Sequence, residues 1–172
     1  MNTANKLTMI RVVLIPVFIV LLYLGRTIPA LAVFIVASVT DFVDGYVARK
    51  YNLVTDFGKF MDPIADKLLV MSAFVMLCSQ GRMEAWAVIV IMAREFIVSG
   101  FRLVAAEGGV VIAASTIAKF KTVSQMLAVM LTIVFVPGPL AIVAKLVLYV
   151  AVVLTALSGI DYVWKNRQFL KG

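Results

Sequence analysis

Apolar residues in this chain come in six long runs, separated by short stretches of turn chemistry. The runs are Met9–Leu24, Ile28–Arg49, Gly58–Gln80, Met83–Ala106, Ser115–Val136 and Leu140–Trp164. An α-helix needs roughly 20 mainly apolar residues to cross a bilayer, and each run is near that length. The junctions carry Gly25-Arg26, Tyr51-Asn52, Gln80-Gly81, Gly108-Gly109 and Pro137-Gly138-Pro139, which break helices and favour turns. The pattern predicts an all-α polytopic membrane bundle of six transmembrane helices, forming a single domain over residues 1–172. Asn2–Arg11 is more mixed. Asn5, Thr8 and Arg11 recur every three residues and make one polar helix face. That spacing predicts a short N-terminal interfacial helix with Lys6 and Arg11 snorkelling to the surface. The alternative turns the polar face toward a substrate site.

Composition agrees with a membrane solvent. The chain has 172 residues, is 63% hydrophobic and has a mean hydropathy of +1.07. One small core cannot hide that much apolar surface from water. The start lacks a basic region and a small-residue cleavage site, so the first run is expected to remain as an anchor. With no histidine and one cysteine, Cys78, a Ser-His-Asp triad is excluded and a thiolate- or imidazole-rich zinc site is unavailable. Cys78 sits in an apolar run and reads as an inert thiol.

The net charge of +7 lies between and at the ends of the runs, which disfavours a nucleic-acid-binding face. One set of ends carries Lys6, Arg11, Arg49, Lys50, Lys59, Arg102, Lys119, Lys121, Lys165, Arg167 and Lys171. The other carries Arg26 and Arg82. The positive-inside rule makes the first set cytoplasmic and puts both termini inside.

Four of the nine acidic residues share one pattern, Asp41-x-x-Asp44-Gly45-x-x-Ala48-Arg49, then eight residues, then Gly58-x-x-x-Asp62-x-x-x-Asp66. An aspartate within a membrane helix costs roughly 3 kcal/mol, so such a cluster calls for a compensating cation. Asp41 and Asp44 share a helix face, and Asp62 and Asp66 form a second stripe. Together they would make a carboxylate pocket at the cytoplasmic ends of the second and third spans. Oxygen-only ligands suit Mg²⁺, Mn²⁺ or Ca²⁺, and a two-metal site about 3.5–4 Å across would fit. The plainer alternative pairs these acids with Arg49, Lys50, Lys59 and Lys67 in interhelical salt bridges. Pro63 frees a carbonyl if the helix begins near Gly58, or marks a first turn if it begins later.

The motif resembles the signature of the CDP-alcohol phosphatidyltransferase family, D-x2-D-G-x2-A-R-x8-G-x3-D-x3-D, at every signature position. The resemblance implies that Asp41, Asp44, Asp62 and Asp66 hold two ions, Mg²⁺ or Mn²⁺, and that Asp66 is also the catalytic base. It implies a CDP moiety near Gly45, Ala48, Arg49 and Gly58, with Thr55 of the intervening loop a further candidate contact. It also implies a homodimer in the cell membrane.

Further segments are similar to members whose acceptor is sn-glycerol 3-phosphate. They are Asn5-Lys6-Leu7-Thr8 with Arg11 and Pro16, Met92-Ala93-Arg94-Glu95, Ser99-Gly100-Phe101-Arg102 and Lys119-Phe120-Lys121-Thr122. The implied reaction moves the phosphatidyl group of CDP-diacylglycerol to that acceptor and releases CMP. Arg94, Arg102, Lys119 and Lys121 are then the candidates for holding the acceptor phosphate. Lys119 and Lys121 point about 200° apart on a regular helix, so both grip one phosphate only if the segment is irregular. Structural pairing of Arg94 with Glu95, and membrane anchoring by the lysines, are the plain alternatives. Lys145 and Asp161 read as structural. Two other functions fit less well. An acceptor such as inositol phosphate is allowed by a basic pocket. A divalent-cation transporter would place its acids near mid-bilayer, often in paired repeats, and neither occurs here.

Overall fold

The computed structural model describes residues 3–50, 56–107 and 116–167, and the described residues form six helices and no strand. The helices are α1 (Thr3–Tyr23), α2 (Thr27–Lys50), α3 (Asp56–Ser79), α4 (Ala85–Glu107), α5 (Thr116–Phe135) and α6 (Ala141–Lys165). Each apolar run of the sequence lies on one of them, with most ends shifted by only one or two residues.

The turns have chemical causes. After α1, the Arg26 N–H donates to Leu21 O at 2.9 Å and the Gly25 N–H to Leu22 O at 3.1 Å. These bonds cap the last carbonyls of the helix, and they need a left-handed residue between them. Gly25, at φ 70°, supplies it without the steric cost a Cβ would add. Gly81 takes the same left-handed conformation after α3, at φ 68°.

Contacts gather the helices into two compact units, Met1–Ser79 and Gln80–Gly172. In the first, α1 packs along both α2 and α3. Thr8, Arg11, Ile15, Phe18 and Leu22 form its buried stripe, alternating three and four residues apart. Small Ala30 and Ala37 flank Phe34 on the buried face of α2, and the Phe18 and Phe34 rings meet at 5.6 Å. Ala65, Leu69, Ala73 and Leu77 are the matching stripe of α3.

This unit corrects two expectations. No separate interfacial helix precedes the first apolar run: α1 is continuous from Thr3, because nothing between there and Met9 breaks the hydrogen-bond ladder. Arg11 does not snorkel either. It is 0% exposed, in line with buried Thr8 and Ile15, so the polar face turns inward. The side chains of Asn5 and Lys6 lie outside the described residues. Pro63 falls inside α3, since that helix already begins at Asp56.

In the second unit α6 packs against both α5 and α4. Its buried stripe, Ala144, Leu148, Ala151, Thr155, Ser158 and Tyr162, is mostly small or hydroxylated. Most of its large aliphatics, among them Ile142, Leu146, Val150, Val153 and Leu157, face outward and are exposed, although Leu148 and Val152 are buried. Water would reverse that arrangement. In lipid, helices associate through close packing and hydrogen bonds rather than by hiding aliphatics, so small residues take the interface. The Gln125 amide donates to Thr155 Oγ1 at 3.0 Å, joining α5 to α6. Gly159 lets Arg94 of α4 lie close, since a Cβ there would sit 2.9 Å from Arg94 Cγ.

Among the described residues, two helical segments, Ile117–Phe135 and Ala141–Lys165, are long and apolar enough to cross a membrane. The shorter apolar stretches are Thr8–Tyr23, Thr27–Thr40 and Lys67–Ser79. In α2 the stretch stops just before Asp41, and in α3 it starts just after Asp66.

Candidate active site

The four motif aspartates occupy two joined helix ends. Asp41 and Asp44 lie in the C-terminal part of α2, and Asp62 and Asp66 in the N-terminal part of α3. Residues 51–55 connect the two helices, so both acidic stripes flank the same junction of one unit. Each pair sits three or four residues apart on a helix, where like charges repel. The side chains of these aspartates, and those of Ala48 and Arg49, lie outside the described residues, as do contacts at Gly45 and Gly58. Thr55 lies outside them altogether. The donor set of this segment is carboxylate oxygen, which fits a hard divalent cation. Among the described residues no group of three or more histidine, cysteine or acidic side chains forms a rival metal site.

The basic candidates belong to the second unit, and the structure divides them. Arg94, Glu95 and Lys121 come together in its interior, with 9%, 7% and 4% of their surface exposed. Glu95 Oε1 accepts from Lys121 Nζ and from Arg94 Nη1, the latter at 3.3 Å. Arg94 lies between this carboxylate and a groove of about 720 Å³ along α4 and α6, whose wall is otherwise largely aliphatic. Arg102 and Lys119 are exposed instead. Arg102 lies about two turns beyond Arg94 and Glu95 toward the end of α4, with its guanidinium 5.8 Å from the Tyr162 ring centre. Phe101 meets the same ring edge-on at 6.3 Å. Because α5 is regular from Thr116, Lys119 and Lys121 face different ways: the first outward, the second onto Glu95.

Both residues left as structural have partners. Lys145 Nζ lies 2.7 Å from Glu84 Oε1, and Lys165 Nζ lies 2.8 Å from Asp161 Oδ1. The Tyr149 hydroxyl also donates to Glu84, at 3.2 Å. Partial burial pushes the Glu84 carboxyl up, but the bonds from Lys145, its own backbone and Tyr149 outweigh this and lower its pKa. Sequence reasoning found the Arg94–Glu95 pairing but missed the bond from Lys121. A lysine and a glutamate 26 residues apart on different helices give no local signal.

Comparison with known proteins bears on the chemistry. The sequence model of the CDP-alcohol phosphatidyltransferase family matches residues 1–157. A CDP-diacylglycerol–glycerol-3-phosphate 3-phosphatidyltransferase of Bacillus subtilis is 45% identical, with 99% of this chain and 97% of the relative covered. The protein of that name from Rickettsia typhi is 45% identical over 94% of each chain. The one from Haemophilus influenzae is 39% identical over 94% of this chain and 91% of the relative.

Proposed function

The chain belongs to the CDP-alcohol phosphatidyltransferase family, and from that premise we propose that it transfers the phosphatidyl group of CDP-diacylglycerol to sn-glycerol 3-phosphate. The products are phosphatidylglycerophosphate and CMP. The observation that carries this reading is the 45% identity, over 99% of the chain, to a relative named for that reaction.

The family and the two long apolar helices make this a membrane protein. All six helices span the bilayer in our reading, with both termini and the aspartates on the cytoplasmic side, where the lysines and arginines concentrate. The reaction needs both media. The acyl chains of the donor require lipid, and its nucleotide and the acceptor require water. The active form is a homodimer of single-domain chains.

Asp41, Asp44, Asp62 and Asp66 would hold two divalent ions, Mg²⁺ or Mn²⁺. Bound there, the ions supply positive charge to the pyrophosphate and to the departing CMP. Gly45, Ala48, Arg49, Thr55 and Gly58 surround the CDP moiety, where glycines allow close backbone approach. The acceptor hydroxyl oxygen attacks the diacylglycerol-bearing phosphorus, the bond from that phosphorus to the CMP oxygen breaks, and the hydroxyl proton passes to Asp66. No cysteine, histidine or base-paired serine near the aspartates offers a covalent nucleophile, so transfer is direct and inverts the phosphorus. Arg102 and Lys119 hold the acceptor phosphate, the first through its planar fork and the second as a point charge.

The test is release of labelled CMP from CDP-diacylglycerol by the purified protein with Mg²⁺. Glycerol 3-phosphate should drive it, while inositol phosphate and serine should not. CMP released with inositol phosphate alone would replace the acceptor. No release with any acceptor would remove the reaction. A stoichiometric CMP burst without acceptor would replace direct transfer by a covalent intermediate.

A further inference from the structure

We propose that Glu95 and Lys121 are positioning residues, which lock the rotation of α5 so that Lys119, and not Lys121, meets the acceptor phosphate. This deepens the reading above and rests on its acceptor being a phosphorylated polyol. Three observations carry it.

The first is the bond itself. Lys121 Nζ and Glu95 Oε1 join α5 to α4 in a buried setting. These two helices pack mainly on α6 rather than on each other, so the ion pair ties them directly. A charge pair in an interior of low dielectric holds its geometry, because separating it strands both charges.

The second is the angle. Successive residues of a helix are about 100° apart, so fixing Lys121 inward sends Lys119 to the far side. The rest of α5 agrees: Ser124, Gln125, Ala128 and Thr132 are buried with Lys121, whereas Phe120, Val123 and Leu127 are exposed with Lys119. Gln125, bonded to Thr155 one turn further on, fixes the same azimuth against α6.

The third is the charge already spent on Lys121. Its ammonium faces a carboxylate that also receives Arg94. A phosphate would have to displace that carboxylate, whereas exposed Lys119 carries no such competitor among the described contacts.

The deciding variant is the double substitution Glu95→Gln/Lys121→Gln. It keeps a hydrogen-bonded pair and leaves the three-residue cluster at the same net charge, since one acid and one base are removed together. Either single variant should lower kcat/KM for glycerol 3-phosphate by at least about tenfold and lower the melting temperature in detergent. The double variant should recover both, with KM for glycerol 3-phosphate within about threefold of wild type. In contrast, Lys119→Gln should raise that KM about tenfold or more, leaving KM for CDP-diacylglycerol unchanged. A double variant that unfolds, or one whose glycerol 3-phosphate KM stays as high as that of Lys121→Gln, overturns the proposal. So does a Lys119→Gln enzyme with a normal KM. Failure of the underlying reaction shows separately, because wild-type protein would then release no CMP. The melting temperatures would still report on the ion pair.

Discussion

In the α4–α6 unit every acid with a described side chain has its own cation: Glu84 has Lys145, Glu95 has Lys121 and Arg94, and Asp161 has Lys165. These acids are far apart in sequence, and the pairs lie along or between helices. The α1–α3 unit spends its acids differently. Asp41 and Asp44 fall within one turn of α2, and Asp62 and Asp66 within about one turn of α3, at the two sides of one junction. An acid that brings its own base is neutralised by folding and holds helices together. Acids crowded against one another raise each other's cost, and call for compensating charge nearby, from a basic side chain or a bound cation. The first arrangement builds a scaffold, and in the function proposed above the second makes a place for cations and for the phosphates that follow them.

The sharpest way to break this comparison is to remove one charge from each unit. Asp41→Asn, Asp62→Asn or Asp66→Asn should cut CMP release by at least about a hundredfold, a scale that outer-shell changes at metal sites already reach. The variants should still insert and fold, since losing a like charge relieves repulsion. Near-normal turnover by Asp62→Asn would end the two-metal assignment. Glu95→Gln should act first on stability, with a smaller loss of activity. It leaves Arg94 and Lys121 buried with a weaker partner and should cost about 3 kcal/mol of stability, the lower end for a broken buried pair. Unchanged stability in denaturant would show that this glutamate is no scaffold element. A third measurement joins the two. A divalent ion at about one hundred times its Kd should stabilise wild type by about 2.7 kcal/mol through linkage. Glu95→Gln should keep that increment and Asp62→Asn should lose it. An increment retained by Asp62→Asn would place the cation elsewhere.

Much of this was legible in the sequence because membrane helices write themselves in local terms. A run such as Leu140–Trp164 is set by length and hydropathy, and α6 spans Ala141–Lys165. The aspartate motif was legible for the same reason: its spacing lies within two helix ends. What escaped depended on contacts between helices. Arg11 was expected at the surface because the mixed segment Asn2–Arg11 reads as interfacial, yet its helix continues through the first apolar run and packs that face inward. The bond from Lys121 to Glu95 needs α4 and α5 to be placed on α6 before it exists. The difference between Lys119 and Lys121 was half legible. Helix periodicity separated them, but only packing says which one is inside.

The smallest effect sharpens the comparison within the second unit. Glu84 and Lys145 repeat the chemistry of Glu95 and Lys121, but at an edge where 53% of the lysine side chain and 28% of the glutamate side chain are exposed. Water screens such a pair, so Lys145→Gln should shift the melting temperature by no more than about 2 °C at neutral pH. The pH dependence has a definite sign. The Glu84 pKa is lowered in the folded protein, so its contribution is present above the ordinary value near 4.5. That contribution is lost as pH falls through the lowered value. The gap between wild type and Lys145→Gln should therefore be steady from neutral pH down to about pH 5 and close below about pH 4. Thermal melts across that range measure it. A gap as large as that of Glu95→Gln would mean that burial does not separate the two pairs. A gap that widens on acidification would reverse the sign assigned to Glu84.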